Sequence, residues 1–397
     1  MTLGWTLDCA PVANILHTLG ERTAVTLFSG DQPVVRSGLR RGSRRGRLGW
    51  TLLLIGLFGT VLFALLPSPY VIERPGPVFD TLGTVQIGGK PTPMISIPGE
   101  KTWPATGSLD MLTVSVLGDP SNLPNWLDVA SAWLDPSQAV LPLDSVYPPG
   151  YSVEDSTKQG KIDMQNSQKD AVAAALRSLG HSVPAEVTVA ELTSTSPSRG
   201  ILKKGDRILS AGGAAIDSVN GLRTAIAAAG AGKPLALEVL RDGQRRSVSV
   251  TPVLSTATRP SPVIGIYAAI AYDYPFDVKI QLDNVGGPSA GQMFALGIID
   301  KLTEGSLTGG RHVAGTGTID DQGAIGRIGG IRQKMYGAHR AGATIFFAPR
   351  GDCDEVVGHV PDGLSVYAVS TLKESLHDLE VIRSGGDTSA LRTCAAR

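Results

Sequence analysis

Residues 278–302 read VKIQLDNVGGPSAGQMFALGIIDKL, and this stretch decides the fold of the C-terminal third of the chain. Alternating apolar residues at its start predict a short strand, and the spacing becomes helical after Ser289. The serine is therefore predicted at a strand-to-helix turn, where the small residues Gly287, Ala290 and Gly291 leave room for a substrate backbone. Free amides of a first helical turn, aided by the helix dipole, can stabilise an oxyanion. The position suits a nucleophile.

A serine hydroxyl needs a neighbouring base, and Lys334 is the candidate. It lies in GGIRQKMYGAHRAG, which predicts a helix over residues 331–341 with Gly342 as its cap. Helical spacing places Lys334 on the apolar face with Ile331 and Ala338. Loss of water around a lysine lowers its pKa, so Lys334 is predicted to act as a general base near neutral pH.

The segment GGPSAG and the lysine 45 positions after its serine resemble the serine-lysine dyad of the proteolytic domain of Lon peptidases. The resemblance covers residues 263–383. It implies an α/β proteolytic domain with Ser289 as nucleophile and Lys334 as base, and with Ala290 and Gly287 at the oxyanion. It also implies a ring-shaped homo-oligomer.

The intervening GTGTIDDQGAIGRIGGIRQK resembles the Lon segment T-G-E-[IV]-T, a turn, and I-G-G-x-x-x-K. Matched in this way, Thr318 is the motif's last threonine, which implies a supporting contact near the dyad. Ala314 then replaces the first threonine, and residues 320–322 lengthen the turn by two. The nucleotide-binding pattern G-x-x-x-x-G-K-[ST] of the Lon ATPase does not occur in the sequence.

Residues 166–256 resemble a PDZ domain. An Ala-rich helix predicted over residues 165–179 is followed by a strand, by SPSRGILKKGDRILSAGG, by a second helix and by two strands. PDZ domains bind an extended peptide at a sheet edge and capture its carboxylate on backbone amides. Leu179, Gly180 and His181 are the candidate carboxylate loop, and a simple helix cap is the alternative.

Residues 48–67 begin LGWTLLLIGLFGTVLFALL and are long and apolar enough to cross a bilayer. Six arginines at 36, 40, 41, 44, 45 and 47 precede them and predict a cytoplasmic tail over residues 1–47. The remaining chain is then extracytoplasmic, on a single-pass anchor in the cell membrane. A cleaved signal peptide is disfavoured because no small-x-small site follows the apolar run.

The other segments carry less information. Residues 70–165 predict a small β-rich segment and a long connection, and residues 384–397 a C-terminal tail. Cys353 and Cys394 could pair or remain thiols. The sequence predicts neither a metal site nor a cofactor, and its formal net charge of zero argues against a nucleic-acid partner.

These observations predict an α+β chain with one transmembrane helix, a PDZ-like domain and a Lon-type domain. The function that they imply is an ATP-independent endopeptidase acting on exported or membrane proteins, whose tails the PDZ domain recruits. One alternative is a PDZ scaffold with an inactive Lon-like domain. The other is an α/β-hydrolase esterase, because GGPSAG contains G-x-S-x-G and because His359 and His377 follow Asp352 and Asp354.

Overall fold

A computed structural model describes residues 44–148, 153–255, 260–283 and 285–395. Most of the predicted cytoplasmic tail, with Cys9 and three of the six arginines, lies outside these residues. The described helices are α1 (Arg44–Leu65), α2 (Trp126–Leu134), α3 (Leu143–Val146), α4 (Val153–Ser178), α5 (Val219–Ala229), α6 (Gly291–Leu302), α7 (Ile331–Arg340), α8 (Cys353–Val356) and α9 (Leu372–Arg383). Two 3₁₀ turns follow α7 and α9, at Arg350–Asp352 and Thr388–Ala390.

The described strands fall into two large sheets and several short pairs. In the first half of the chain they are β1 (Tyr70–Asp80), β2 (Thr84–Ile87), β3 (Lys90–Pro93), β4 (Ile95–Ser96), β5 (Ser108–Leu117), β6 (Ala139–Pro142) and β7 (Ala185–Leu192). They continue as β8 (Arg207–Ala211), β9 (Ala214–Ala215), β10 (Leu235–Arg241), β11 (Gln244–Val250), β12 (Val253–Leu254), β13 (Pro262–Val263) and β14 (Ile266–Tyr272). The last are β15 (Lys279–Ile280), β16 (His312–Gly315), β17 (Thr318–Ile319), β18 (Ile325–Gly326), β19 (Ile345–Pro349) and β20 (Ser365–Val369).

Helix α1 contains an apolar stretch of 20 residues, Gly46–Leu65, with a mean hydropathy of 2.2. Its length and composition are those of a membrane-spanning helix. Pro67 and Pro69 follow its end, and proline cannot continue a helix. The helix therefore ends two residues before the predicted limit of 67 and begins four residues before the predicted start.

The first large sheet has the order β20-β19-β16-β5-β1-β6. Its parallel half joins β5 to β16, β19 and β20, and its antiparallel half joins β5 to β1 and β1 to β6. Residues 70–142 are β-rich, as predicted, but β1, β5 and β6 share a sheet with β16, β19 and β20 and so do not form a separate segment. Strand β5 pairs Ser108 with His312, about 200 positions away in the chain, and local patterns in a sequence do not reveal such partners.

Helix α4 runs for 26 residues and packs with α6 in the core beside this sheet. Its buried alanines let α6 approach closely, and a Cβ at Gly160 would lie 3.6 Å from the Gly286 backbone. The helix predicted over residues 165–179 therefore begins earlier, at Val153, and its buried face belongs to the core that contains α6. The Ala-rich pattern predicted the helix but could not assign it to a domain.

The second large sheet has the order β11-β10-β8-β7-β14, with β9 against β8. Helix α5 covers this sheet, and both contribute to a separate apolar core. Strand β14 lies beyond the predicted limit of residue 256, so the PDZ-like unit takes its edge strand from chain that the sequence assigned to the Lon-like domain. The chain thus enters this sheet from α4 and leaves it from β14.

The C-terminal segment is attached to the body of the fold. Cys353 and Cys394 form a disulfide with a Cα–Cα distance of 5.0 Å, which answers the question that the sequence left open. Leu391 is buried, and the Ala368 amide donates to the Arg392 carbonyl at 2.7 Å. Residues 391–394 are therefore attached to β20 and α8, whereas residues 384–390 are exposed.

Candidate active site

Ser289 lies at the turn before α6, as its sequence context predicts. Ala290 is the N-cap of that helix, with φ −97° and ψ −3°. Gly287 adopts φ +87°, a backbone conformation that favours glycine, and so lets the chain turn sharply ahead of the serine. The turn leaves Ser289 half-buried, with its hydroxyl beside α7.

Lys334 lies on the first turn of α7 and is 2% exposed. Its Nζ is 2.8 Å from Ser289 Oγ and 3.1 Å from Thr316 Oγ1. Gly330 makes this approach possible: it has φ +68° at the start of α7, and a Cβ there would lie 2.5 Å from Val114 Cγ1. The structure therefore brings together Ser289 and Lys334, which the sequence singled out.

The threonine in contact with the lysine is Thr316. Its hydroxyl donates to the Ser289 carbonyl at 3.0 Å, and the Gly317 amide donates to the same oxygen at 2.8 Å. A hydroxyl has one proton, so Thr316 Oγ1 accepts from Lys334 Nζ. This contact keeps one N–H of Lys334 directed at Thr316, and the lone pair of a neutral lysine can then face Ser289 Oγ.

The prediction that Thr318 contacts the dyad is wrong. Thr318 lies in the β17–β18 hairpin, and a Cβ at Gly326 would lie 2.5 Å from its Oγ1. The T-G-E-[IV]-T pattern fits better with its first threonine at Thr316 and with Thr318 in place of the glutamate. This register removes the two-residue lengthening of the turn. The alternation of small residues in GTGTI allowed either register, and the hydrogen bond to Lys334 distinguishes them.

Burial lowers the pKa of Lys334 from its usual value to about 8. Asp352 and Glu73 oppose this shift, since their negative charges favour the ammonium form. Desolvation also raises the pKa of Glu73, which lies on β1. A lysine with such a pKa is partly neutral near pH 7 to 8 and can accept a proton from a hydroxyl.

Helix α4 holds the loop before Ser289. The Gly287 amide donates to the Gly160 carbonyl at 2.8 Å, and Ser167 Oγ donates to the Pro288 carbonyl at 2.8 Å. The Gly287 amide is therefore not free to bind an oxyanion, and its predicted role there is wrong. Ala290 remains the candidate there. No pattern in the sequence points to Ser167 as a residue that holds this loop.

A cleft of about 420 Å³ opens at Ser289 and Lys334. Met111, Met164, Phe79 and Val285 give it an apolar wall, and Asp283 lies at its rim. His359 and His377, which the esterase alternative requires, do not line this cleft in the described part of the chain. Nδ1 of His359 faces the Val357 carbonyl at 3.0 Å, and His377 lies on α9.

A second cavity of about 820 Å³ lies between α5, β14 and the first half of α4. Ile264, Gly265 and Ile266 form its end at the start of β14, while Leu222 and Ile226 of α5 form its apolar wall. One edge of β14 pairs with β7, and the other faces α4. Peptides add to PDZ domains at a sheet edge beside a helix, so this groove is the candidate peptide site.

The predicted carboxylate loop at Leu179, Gly180 and His181 lies elsewhere. Gly180 has φ +87°, and the His181 amide donates to the Leu176 carbonyl at 3.0 Å, as at a helix C-terminus. Leu179 packs against the core of α4 and α6, and the His181 ring stacks edge-on with Phe276 at 5.4 Å. The alternative of a simple helix cap describes these residues, and the carboxylate-loop prediction is wrong.

Comparison with known proteins identifies two domains. The PDZ domain model matches residues 150–251, and the model of the Lon protease (S16) C-terminal proteolytic domain matches residues 283–381. Lon protease 1 of Bacillus subtilis is 38% identical over 93 residues, which are 23% of this chain and 12% of that protein. Lon protease 2 of Herpetosiphon aurantiacus is 41% identical over 107 residues, or 25% of this chain and 13% of that protein.

The chain therefore spans about an eighth of the length of the curated relatives that it matches. Among solved structures, the PDZ domain of the SdrC-like protein from Listeria monocytogenes is 20% identical, at a TM-score of 0.20. The match covers 21% of this chain and 85% of that one. Together with the family models, the Lon relatives establish a chain that contains a PDZ domain and a Lon-type protease domain.

Proposed function

We propose that the protein is an ATP-independent, membrane-anchored endopeptidase in which Ser289 and Lys334 form the catalytic dyad. The observation that carries the proposal is the 2.8 Å separation of Ser289 Oγ and a buried Lys334 Nζ inside a Lon-type domain. Independence of ATP is inferred because the sequence has no nucleotide-binding G-x-x-x-x-G-K-[ST] pattern.

The proposed reaction is acyl transfer. Neutral Lys334 accepts the proton of Ser289 Oγ as this oxygen attacks the peptide carbonyl, and the Ala290 amide stabilises the oxyanion. The Lys334 ammonium then returns the proton to the departing amine. Lys334 next accepts a proton from the water that attacks the acyl-enzyme. It returns this proton to Ser289 Oγ as the acyl–Oγ bond breaks and the carboxylic acid product leaves. Thr316 holds the lysine in place through both steps.

Recruitment of substrate is assigned to the groove between α5 and β14. A substrate tail bound there as an added strand would raise the effective concentration of its chain at the cleft. Exported or membrane proteins are the proposed substrates, since α1 would hold the rest of the chain at the extracytoplasmic side. The resemblance to Lon domains extends the proposal to a ring-shaped homo-oligomer, which the mass of the purified protein tests.

The deciding experiment compares the full-length parent with Ser289→Ala and Lys334→Ala on an unfolded protein substrate without ATP. Each change should lower kcat/KM by roughly 10³-fold or more. Ser178→Ala, at an exposed serine of α4, is the matched control and should keep parental activity. An esterase would survive the loss of Lys334 and fail in His359→Ala or His377→Ala. A scaffold would show no turnover in the parent itself.

A further inference from the structure

Helix α2 (Trp126–Leu134) adjoins the end of the proposed membrane anchor. The Phe63 and Trp126 rings stack at 5.3 Å, and the Trp126 amide donates to the Leu66 carbonyl at 3.3 Å. The Ser68 amide donates to the Pro124 carbonyl at 2.8 Å. These contacts join α2 to the last turn of α1, so a bilayer that holds this turn also has α2 at its surface.

The outer face of α2 is apolar. Val129 and Ala132 are buried on its inner face, whereas Leu127, Trp133 and Leu134 are 63%, 63% and 87% exposed. Leu127 and Leu134 are seven positions apart and so lie on the same side of the helix. Large apolar side chains rarely cluster on an open surface without a partner.

The acidic and hydroxyl side chains of α2 and its two ends form local hydrogen bonds. Asp128 accepts from the Asn125 amide in a capping box, and Ser131 Oγ donates to the Asp128 carbonyl at 2.7 Å. Asp135 accepts from the Ser137 amide and hydroxyl at the other end. Seating the outer face in an apolar medium therefore leaves these groups with their hydrogen bonds.

From these observations we infer that α2 is an interfacial helix whose outer face inserts into the leaflet from which α1 emerges. The occupant is lipid, because α2 continues the apolar surface of the last turn of α1, where Phe63 and Leu65 are 55% and 69% exposed. Tryptophan favours the interface between headgroups and acyl chains. The inference rests on the proposed anchor and is independent of the proposed chemistry.

The lipid contact is apolar rather than electrostatic. Residues 118–157 contain no lysine or arginine, although six Asp or Glu residues lie among them. Amphipathic helices that depend on anionic lipid have basic residues on their polar face. Docking of α2 should therefore be the same in vesicles of phosphatidylcholine alone and in vesicles that also contain phosphatidylglycerol.

The test uses the full chain in phosphatidylcholine vesicles whose acyl chains carry bromine, which quenches nearby tryptophan emission. The difference in emission between the parent and Trp133→Phe gives the emission of Trp133. The difference between the parent and Trp103→Phe gives, as a control, the emission of Trp103, which is half-buried and lies beneath the Lys101 ammonium. We expect brominated lipid to lower the Trp133 signal by about twofold or more. The Trp103 signal should change little.

The double variant Leu127→Ser, Leu134→Ser separates docking from anchoring. It should still sediment with the vesicles through α1, while its Trp133 signal becomes open to acrylamide in the aqueous phase. Hydrolysis of a short soluble peptide should equal that of the parent.

If Trp133 in the parent is quenched by acrylamide and not by brominated lipid, the inference is wrong while the anchor stands. If neither quencher reaches Trp133, a protein partner covers this face and the inference is again wrong. If the parent does not sediment with the vesicles, both the membrane anchor and the inference on α2 are wrong.

Discussion

The dyad and the peptide groove are built in opposite ways. Ser289, Lys334 and Thr316 come from three separate segments, and Lys334 is 2% exposed. The groove lies along one edge of β14, and α5 lines it with buried Leu222 and Ile226 and with exposed Arg223 and Ala227. A desolvated lysine must be held rigidly to act as a base, whereas a recruiting groove must stay open to chains of different sequence. This difference matches the proposed division, in which the dyad performs the chemistry and the groove selects the substrate.

Helix α4 connects these two regions. Asn166 and Lys169 donate to the Ala268 and Ile270 carbonyls on β14, at 3.5 and 3.0 Å. Ser167, on another face of the same turn, donates to the carbonyl of Pro288 beside the nucleophile. The two regions are thus distinct in character but share one rigid element. Variants can test whether they also separate in function.

The largest expected effect comes from Lys334→Met. Methionine fills similar space without an amine, so kcat/KM should fall by roughly 10³-fold or more. The free energy of unfolding should not decrease, because a buried group that can carry charge is replaced by an apolar one. Kinetics and denaturant unfolding measure the two effects.

Arg332→Met is the control for Lys334→Met, because Arg332 lies on the same helix and is half-buried. It should keep parental activity. Loss of activity in both variants to the same extent would mean that α7 was disturbed, and the comparison between a rigid site and an open groove would lose its basis.

The next effect is the dependence of activity on pH. The proposed mechanism requires neutral Lys334, whose pKa is about 8, so log kcat/KM should rise with pH and level off above that value. Two units below it, at pH 6, activity should be lower by roughly 100-fold. Measuring kcat/KM with a short peptide avoids any contribution from the groove.

Glu73→Gln sharpens this test. The charge of Glu73 raises the pKa of Lys334, so its removal should move the rising limb toward lower pH. Glu304→Gln, at an exposed position, should leave the limb in place. A midpoint near pH 6.5 that Glu73→Gln does not move would indicate a histidine base instead.

A smaller effect distinguishes the two threonines. Thr316→Val removes the acceptor that orients Lys334 and the donor to the Ser289 carbonyl, and should lower kcat by roughly 10- to 100-fold. Thr318→Val removes a hydroxyl that faces Gly326 and should change kcat by less than about threefold. Equal losses in both variants would contradict the assignment of Thr316 to the dyad.

The contrast between Thr316 and Thr318 shows what the sequence could predict. The turn that carries Ser289 and the burial of Lys334 followed from GGPSAG and from the apolar face of α7, because these signals are local. The alignment of GTGTI with the Lon motif could not be predicted, because it depends on which threonine hydroxyl contacts Lys334 Nζ in the folded chain. The partners of β5 and the two-sided role of α4 also depend on contacts between distant segments. Edge strand β14 was assigned to the wrong domain for the same reason.

The smallest effect on chemistry should come from the groove itself. Ala227 is exposed on α5 and lines the groove, so Ala227→Trp should fill it and hinder the addition of a strand along β14. For a protein substrate with a free tail, KM should rise several-fold, because the effective concentration gained by tail binding is lost. For a short peptide that reaches only the cleft, kcat and KM should stay at parental values.

Ala228→Trp is the control, because it adds the same ring at a neighbouring exposed position that does not line the groove. It should leave kcat and KM unchanged for both substrates. A fall in kcat for the short peptide in Ala227→Trp alone would show that filling the groove reaches Ser289, and α4, which touches both, is the element that would transmit it.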